Sequence, residues 1–154
     1  MTQVYLPERP PAALHPAPLH RGVVSFGACL LIETFVSDLA YWKTTLFQWN
    51  NFSMWLLLGG LILAGFAALA LVVDLALGRV RRLSWPRFTG VALAALLSLL
   101  NAFVHSRDAY TAVVPEGITL SAIVTVILIL VGATGGWDLS ARVGRPAQVG
   151  SVRA

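Results

Sequence analysis

The chain has 154 residues, of which 57% are hydrophobic and only 12% charged. A soluble domain carries about 25% charged residues, so an ordinary water-soluble globule is excluded. The net charge of +4 does not point to nucleic acid, because the basic residues fall between long apolar runs and form no single patch.

In chain order, the first 20 residues hold Pro10, Pro11, Pro16 and Pro18 and no apolar stretch of a cleavable leader. Residues 1–21 therefore read as a flexible, Pro-rich cytoplasmic tail, and the first membrane helix is expected to target the chain. Four apolar runs follow, at 22–42, 54–77, 88–107 and 117–139. Each is about 20 residues long, the length that crosses a hydrocarbon core of about 30 Å. A backbone in lipid must satisfy its own hydrogen bonds, and no β-barrel alternation is visible, so all four are predicted as helices. The connections 43–53, 78–87 and 108–116 are short, which predicts antiparallel neighbours. The expected fold is all-α: a polytopic membrane protein with four transmembrane helices in an up-down-up-down bundle over 22–140, followed by a cytoplasmic tail at 141–154.

Orientation follows from Lys and Arg. The N-tail, the second connection and the C-tail together hold nine, and the other side holds only Lys43 and Arg107. The positive-inside rule then places both termini in the cytoplasm. Trp42, Trp49, Trp55, Trp85 and Trp137 fall near the expected span ends, as an interfacial aromatic belt requires. Cys29 is the one cysteine, which rules out an intramolecular disulfide and reads as a small hydrophobe.

Polar residues at membrane depth are where function is sought. Glu33 falls about 16 Å into the first span at 1.5 Å per residue, near mid-depth. Glu33/Ser37 and Thr34/Asp38 are spaced i, i+4 on adjoining faces. Ser98, Asn101 and His105 share a face of the third span, with Ser121 and Thr125 at similar heights on the fourth. The candidate intramembrane polar site is thus Glu33, Ser37, Asp38, Asn101, His105 and Arg107, in the outer half of the bundle. One reading is interhelical hydrogen-bond glue, with Asp38 paired to Arg107. The other is a ligand or proton-handling pocket, since mid-membrane burial favours the uncharged form of Glu33.

Asp74 and Asp138, near inner span ends, are expected to pair with the nearby arginines. Gly132 and Gly136 form a GxxxG match, read as intramolecular packing. His15 and His20 precede the first span, whereas His105 ends the third on the other side. A haem held by two axial histidines needs both near one plane, so His105 is not expected to share one with either. No cofactor is predicted, with haem as the alternative, and no metal site is apparent.

The segment LHPAPLHRGVVSFGACLLIETFVSDLAYW resembles the opening of the bacterial membrane proteins grouped as domain of unknown function 2231. Their Leu-His-Pro element maps onto Leu14, His15 and Pro16, their first-span Phe and Asp onto Phe26 and Asp38, and the aspartate ending their second span onto Asp74. NAFVHSRDAYTAVVPEG is similar to their third-to-fourth connection, and GATGG, with Gly135 and Gly136, to their glycine-rich ending. The chain departs from the pattern at Gly27, where the family commonly has proline. It also lacks the histidine that often opens the third span, and reads Trp137-Asp138-Leu139-Ser140 after the glycines. The resemblance spans about residues 14–145 and implies a four-helix bacterial inner-membrane protein, with no catalytic residue to carry over.

The functional expectation is a non-enzymatic accessory or structural membrane protein. It would act through its helical faces on a membrane-protein partner or a second copy, and through its basic inner surface on anionic lipid. The alternative is a haem- or quinone-linked redox or proton-handling protein using the outer polar cluster. A transporter is disfavoured, because no inverted repeat or broken helix is visible.

Overall fold

The computed structural model describes residues 18–107 and 113–141. The described part is four helices: α1 (Leu19–Thr44), α2 (Phe47–Ala76), α3 (Trp85–His105) and α4 (Glu116–Ala133). All four are long and apolar enough to cross a membrane.

The distribution of side chains is the inverse of a soluble bundle's. Phe26, Trp55, Phe66, Phe103 and Leu130 are exposed, while His20, Thr34, Ser37, Asp38, Asn50, Ser53, Asp74, Ser98, Asn101, His105, Ser121 and Thr125 are buried. In lipid the outward face gains nothing from polarity, and polar groups collect where they can bond to one another. Hydroxyls on the helix surfaces bond back into their own helices, as Ser25 does to the Arg21 carbonyl and Thr89 to that of Trp85.

The helix bounds depart from expectation in three places. The connection expected over 43–53 contracts to Thr45 and Leu46. Thr45 takes a left-handed conformation, φ 55°, and its N–H closes α1 on the Tyr41 carbonyl. The polar QWNNFS stretch is helical because burial of Asn50 and Ser53 against the bundle overrides its loop-like composition. α1 starts at Leu19, which brings His20 into its first turn and into the buried core. α4 ends at Ala133, six residues before the expected limit. Beyond it, Gly135 and Gly136 adopt positive φ of 131° and 79°, a turn that favours glycine.

That turn folds residues 134–141 back onto the bundle. The Trp137 indole donates to the Leu128 carbonyl at 3.1 Å and packs on Gly132, where an added Cβ would lie 3.2 Å from the indole nitrogen. Trp137 is therefore half-buried against the bundle, unlike the exposed Trp42, Trp55 and Trp85. Gly132 makes room for this ring, which corrects the helical GxxxG reading. The returning segment is held by Ser84 N–H to the Leu139 carbonyl and Ala141 N–H to the Arg82 carbonyl.

Contacts between α1 and α2 rise in number along one helix as they fall along the other: His20 with Asp74, Gly27 with Leu63, Leu30 with Gly59, Ser37 with Trp49. The approach is closest at Gly60, where a Cβ would meet Leu31 Cδ2 at 2.5 Å. Gly90 does the same for α3 against Val131 of α4. α2 and α3 meet less than the α1–α2, α3–α4 and α1–α4 pairs do, and two cavities lie along their seam. One, about 220 Å³, has only apolar walls that include Ala64, Ala67 and Phe88. The other, about 320 Å³, is bordered by Met54, Trp55, Leu58, Ala102 and His105.

Candidate functional site

Two buried histidine–aspartate pairs tie the helices together, one at each end of the bundle. The first lies at the basic end, where α1 begins and α2 finishes. His20 Nδ1 stands 2.8 Å from Asp74 Oδ2, and both residues are fully buried. The His20 backbone N–H also donates to Asp74 Oδ2 at 2.9 Å. Pro18 offers α1 no side-chain cap, so Asp74 from the neighbouring helix satisfies an orphan N–H of its first turn. The Leu139 N–H donates to His20 Nε2 at 3.1 Å. A nitrogen that accepts from an amide carries no proton, so the ring is the neutral Nδ1–H tautomer and donates to the Asp74 carboxylate. Arg79 Nη1, 3.4 Å from Asp74 Oδ1, balances the negative charge.

Asp138 completes this end. Its Oδ1 accepts from Ser140 N–H at 2.9 Å and from Ser140 Oγ at 2.6 Å. Partial burial works against its charge, but the Ser140 hydroxyl and N–H, together with the nearby His20 and Arg21, hold the carboxyl below the ordinary carboxylate value. Arg87 bonds to the Asp138 backbone carbonyl. Asp138 thus bonds to Ser140 and, through its main chain, Arg87, with its Oδ1 also 3.6 Å from His20 Nε2, whereas Asp74 does pair with an arginine as expected.

The second pair lies at the opposite end and joins three helices. His105 Nε2 of α3 is 3.0 Å from Asp38 Oδ1 of α1, and Ser121 Oγ of α4 donates to Asp38 Oδ2 at 2.7 Å. His105 Nδ1 faces the Asn101 backbone carbonyl at 3.1 Å and Asn101 Oδ1 at 3.2 Å. Here both ring nitrogens face oxygen acceptors. The pair therefore holds one proton more than its counterpart: either imidazolium against carboxylate, or neutral imidazole against a protonated acid. The requirement is electrostatic, since among the described residues no Lys or Arg bonds to Asp38 and a lone negative charge at full burial is costly.

The expected site residues divide accordingly. Asp38, Asn101 and His105 converge. Ser37 is buried beside them but donates to the Trp49 carbonyl at 2.9 Å, fastening α1 to α2. Arg107 is exposed and bonds Glu116, so the expected Asp38–Arg107 pair gives way to Asp38–His105. Glu33 is exposed on the outer side of α1 and does not join the cluster. Helical phase explains this: Glu33 lies five residues before Asp38, about 140° around the axis from it at 3.6 residues per turn. Asp74, Gly135 and Gly136 belong to the basic end, and His15 and Pro16 lie outside the described residues.

Sequence reasoning missed His20, which it assigned to the tail, and the coupling of Ser121 to Asp38. A signal for His20 was present: in an antiparallel first hairpin, a residue at the start of α1 falls level with Asp74 at the end of α2. Four buried polar atoms remain unbonded among the described residues: Asn50 Oδ1, Ser53 Oγ, Ser98 Oγ and Thr125 Oγ1. Like the His105 cluster, they occupy the middle and the end opposite the basic one. Among the described residues, no three His, Cys, Asp or Glu side chains are grouped to hold a metal ion.

No curated protein and no solved structure matches the chain. A family model described as predicted membrane protein, domain of unknown function 2231, matches residues 16–145. With nearly the whole chain covered and four membrane-length helices in place, the protein belongs to this family of predicted membrane proteins.

Proposed function

We propose that this is a non-enzymatic accessory or structural protein of the bacterial inner membrane, an up-down-up-down bundle with both termini in the cytoplasm. One observation carries the reading: the buried His and Asp side chains are committed to one another across helices. His20, Asp74, Asp38 and His105 each have their polar atoms met by a neighbouring segment. Such closed networks set helix register and leave no reacting group open. The nine Lys and Arg of the termini and second connection support the orientation, and the same basic face suits anionic lipid head groups.

The test is direct. Purified protein is expected to be colourless, and His105→Ala to lower thermal stability. A Soret band lost in His105→Ala would overturn the reading. Reporter fusions at the two ends should both report a cytoplasmic location, and a periplasmic signal from either would reverse the topology.

A second reading, proton handling linked to a quinone, is favoured by one feature. His105 holds the proton-loaded pair and borders the cavity of about 320 Å³ between α2 and α3. A short-chain quinone should then shift the His105 ring ¹⁵N resonances saturably, and no shift would remove this reading. A haem ligated by two histidines finds less support, because His20 and His105 occupy opposite ends of the bundle and each bonds its own aspartate.

A further inference from the structure

Glu33 differs from the other acidic residues of the spans in having no partner among the described residues. It lies about 21 Å from the start of α1 and about 16 Å from its end at 1.5 Å per residue. Its side chain is exposed, and no hydrogen bond or ion pair reaches it among the described residues. A glutamate stem is too short to lift its carboxyl to either interface from that depth. Ionisable groups at mid-membrane turn toward a bundle interior or a partner, because hydrocarbon solvates neither the charge nor the acid.

We infer that the outward face of α1, centred on Glu33, is the contact surface of a parallel homodimer in which the two Glu33 carboxyl groups, both protonated, hydrogen-bond to each other. A carboxylic acid carries one donor and one acceptor, so it is complementary to a copy of itself. On a two-fold axis along the membrane normal, each residue of the seam meets its own counterpart, and the two acids satisfy one another.

A second copy offers nothing else at that depth. The exposed side chains over the middle turns of α2, α3 and α4, among them Phe66, Leu69, Leu96, Val126 and Ile129, are apolar. The geometry of the face agrees. Gly22, Phe26, Cys29, Glu33 and Val36 are all exposed and recur in alternating steps of four and three. That mean period of 3.5 keeps one seam in contact along a left-handed helix pair. A Cβ added at Gly22 would meet nothing within 4 Å, so the seam is open to close approach. The inference goes beyond the accessory reading and does not depend on it.

The experiment uses the full chain in phospholipid vesicles. Cys29 is the only cysteine and lies one turn from Glu33, so mild oxidation should cross-link the dimer, which requires Cα atoms within about 7 Å. Energy transfer between labelled copies on dilution in lipid gives the affinity. Glu33→Leu is expected to weaken association about tenfold with thermal unfolding unchanged. Glu33→Gln should retain most of the association, because an amide is also self-complementary. In a Cys29→Ala background, Val36→Cys should cross-link and Leu96→Cys, on α3, should not. Monomeric wild type, a Glu33→Leu protein that associates as well as wild type, or cross-linking through position 96 but not 36 would each overturn the inference. So would failure of Glu33→Leu to fold, since Glu33 would then carry an intramolecular contact.

Discussion

His105 and Asp38 stand 3.0 Å apart across α3 and α1, and the far side of the His105 ring is closed by two oxygens of Asn101. A pair in which both ring nitrogens face acceptors holds one proton more than the His20–Asp74 pair, where His20 Nε2 accepts from Leu139 N–H. In ¹⁵N spectra of labelled protein, His20 should show one bare nitrogen. His105 should show a protonated Nδ1, with a further proton in the Nε2–Asp38 hydrogen bond, on either atom. A bare Nδ1 in His105 would refute the proton assignment.

Removing one member of this buried pair should be costly. Asp38→Ala leaves His105 without its partner and should lower unfolding free energy by about 3 kcal/mol. Ser121→Ala removes one hydroxyl, whose proton is shared between Asp38 and the Ile118 carbonyl, and should cost about 1 kcal/mol. Denaturation in mixed micelles measures both, and similar losses for the two variants would contradict the central place given to Asp38.

At the basic end, Asp74 serves two masters: the His20 ring and the first turn of α1. Asp74→Ala should therefore destabilise by about 3 kcal/mol and fray α1 from its start. Hydrogen exchange should show the loss of protection concentrated near His20, where a uniform loss along α1 would argue against capping.

Glycine positions separate close packing from open surface. Gly60→Ala and Gly90→Ala each place a Cβ 2.5 Å from a side-chain methyl of the facing helix, and should cost about 1–3 kcal/mol. Gly65, with nothing within 4 Å, should accept alanine with a gain of up to about 1 kcal/mol from helix propensity. Thermal scans of the three variants decide the matter by sign.

Asp138 lies beyond α4, and its carboxyl is held below the ordinary value, against burial, chiefly by Ser140, with His20 and Arg21 adding to the effect. A group depressed on folding contributes stability above its unfolded value, about 3.9. That contribution is lost as pH falls through the folded value. Trp137 fluorescence should thus report loosening of residues 134–141 in acid, below about pH 4. Asp138→Asn should flatten that acid dependence, and an unchanged acid transition in the variant would assign it to another group.

Most of the architecture was legible before any coordinates. Uninterrupted apolar runs force helices in lipid, so the four spans and the intramembrane position of Asp38, Asn101 and His105 followed from residue types and spacing. The ends were less legible. Asn50 and Ser53 look like loop residues until a buried partner surface makes them helical. The start of α1 was hidden because a histidine after prolines has no apolar signature. Gly135 and Gly136 read as helix packing, although their positive φ turns the chain back.

What the sequence determined by itself is therefore the number of crossings, their approximate bounds and the asymmetry of basic charge, all of which depend on local composition. Which polar groups meet was decided only in three dimensions. Asp38 could have paired with Arg107 on spacing alone, but the rotation of α1 and α3 set it against His105 and Ser121. The same rotation turned Glu33 outward. Side chains a few residues apart on one helix point to different neighbours, and only the packing of the other three helices assigns one direction to the interior and another to the lipid.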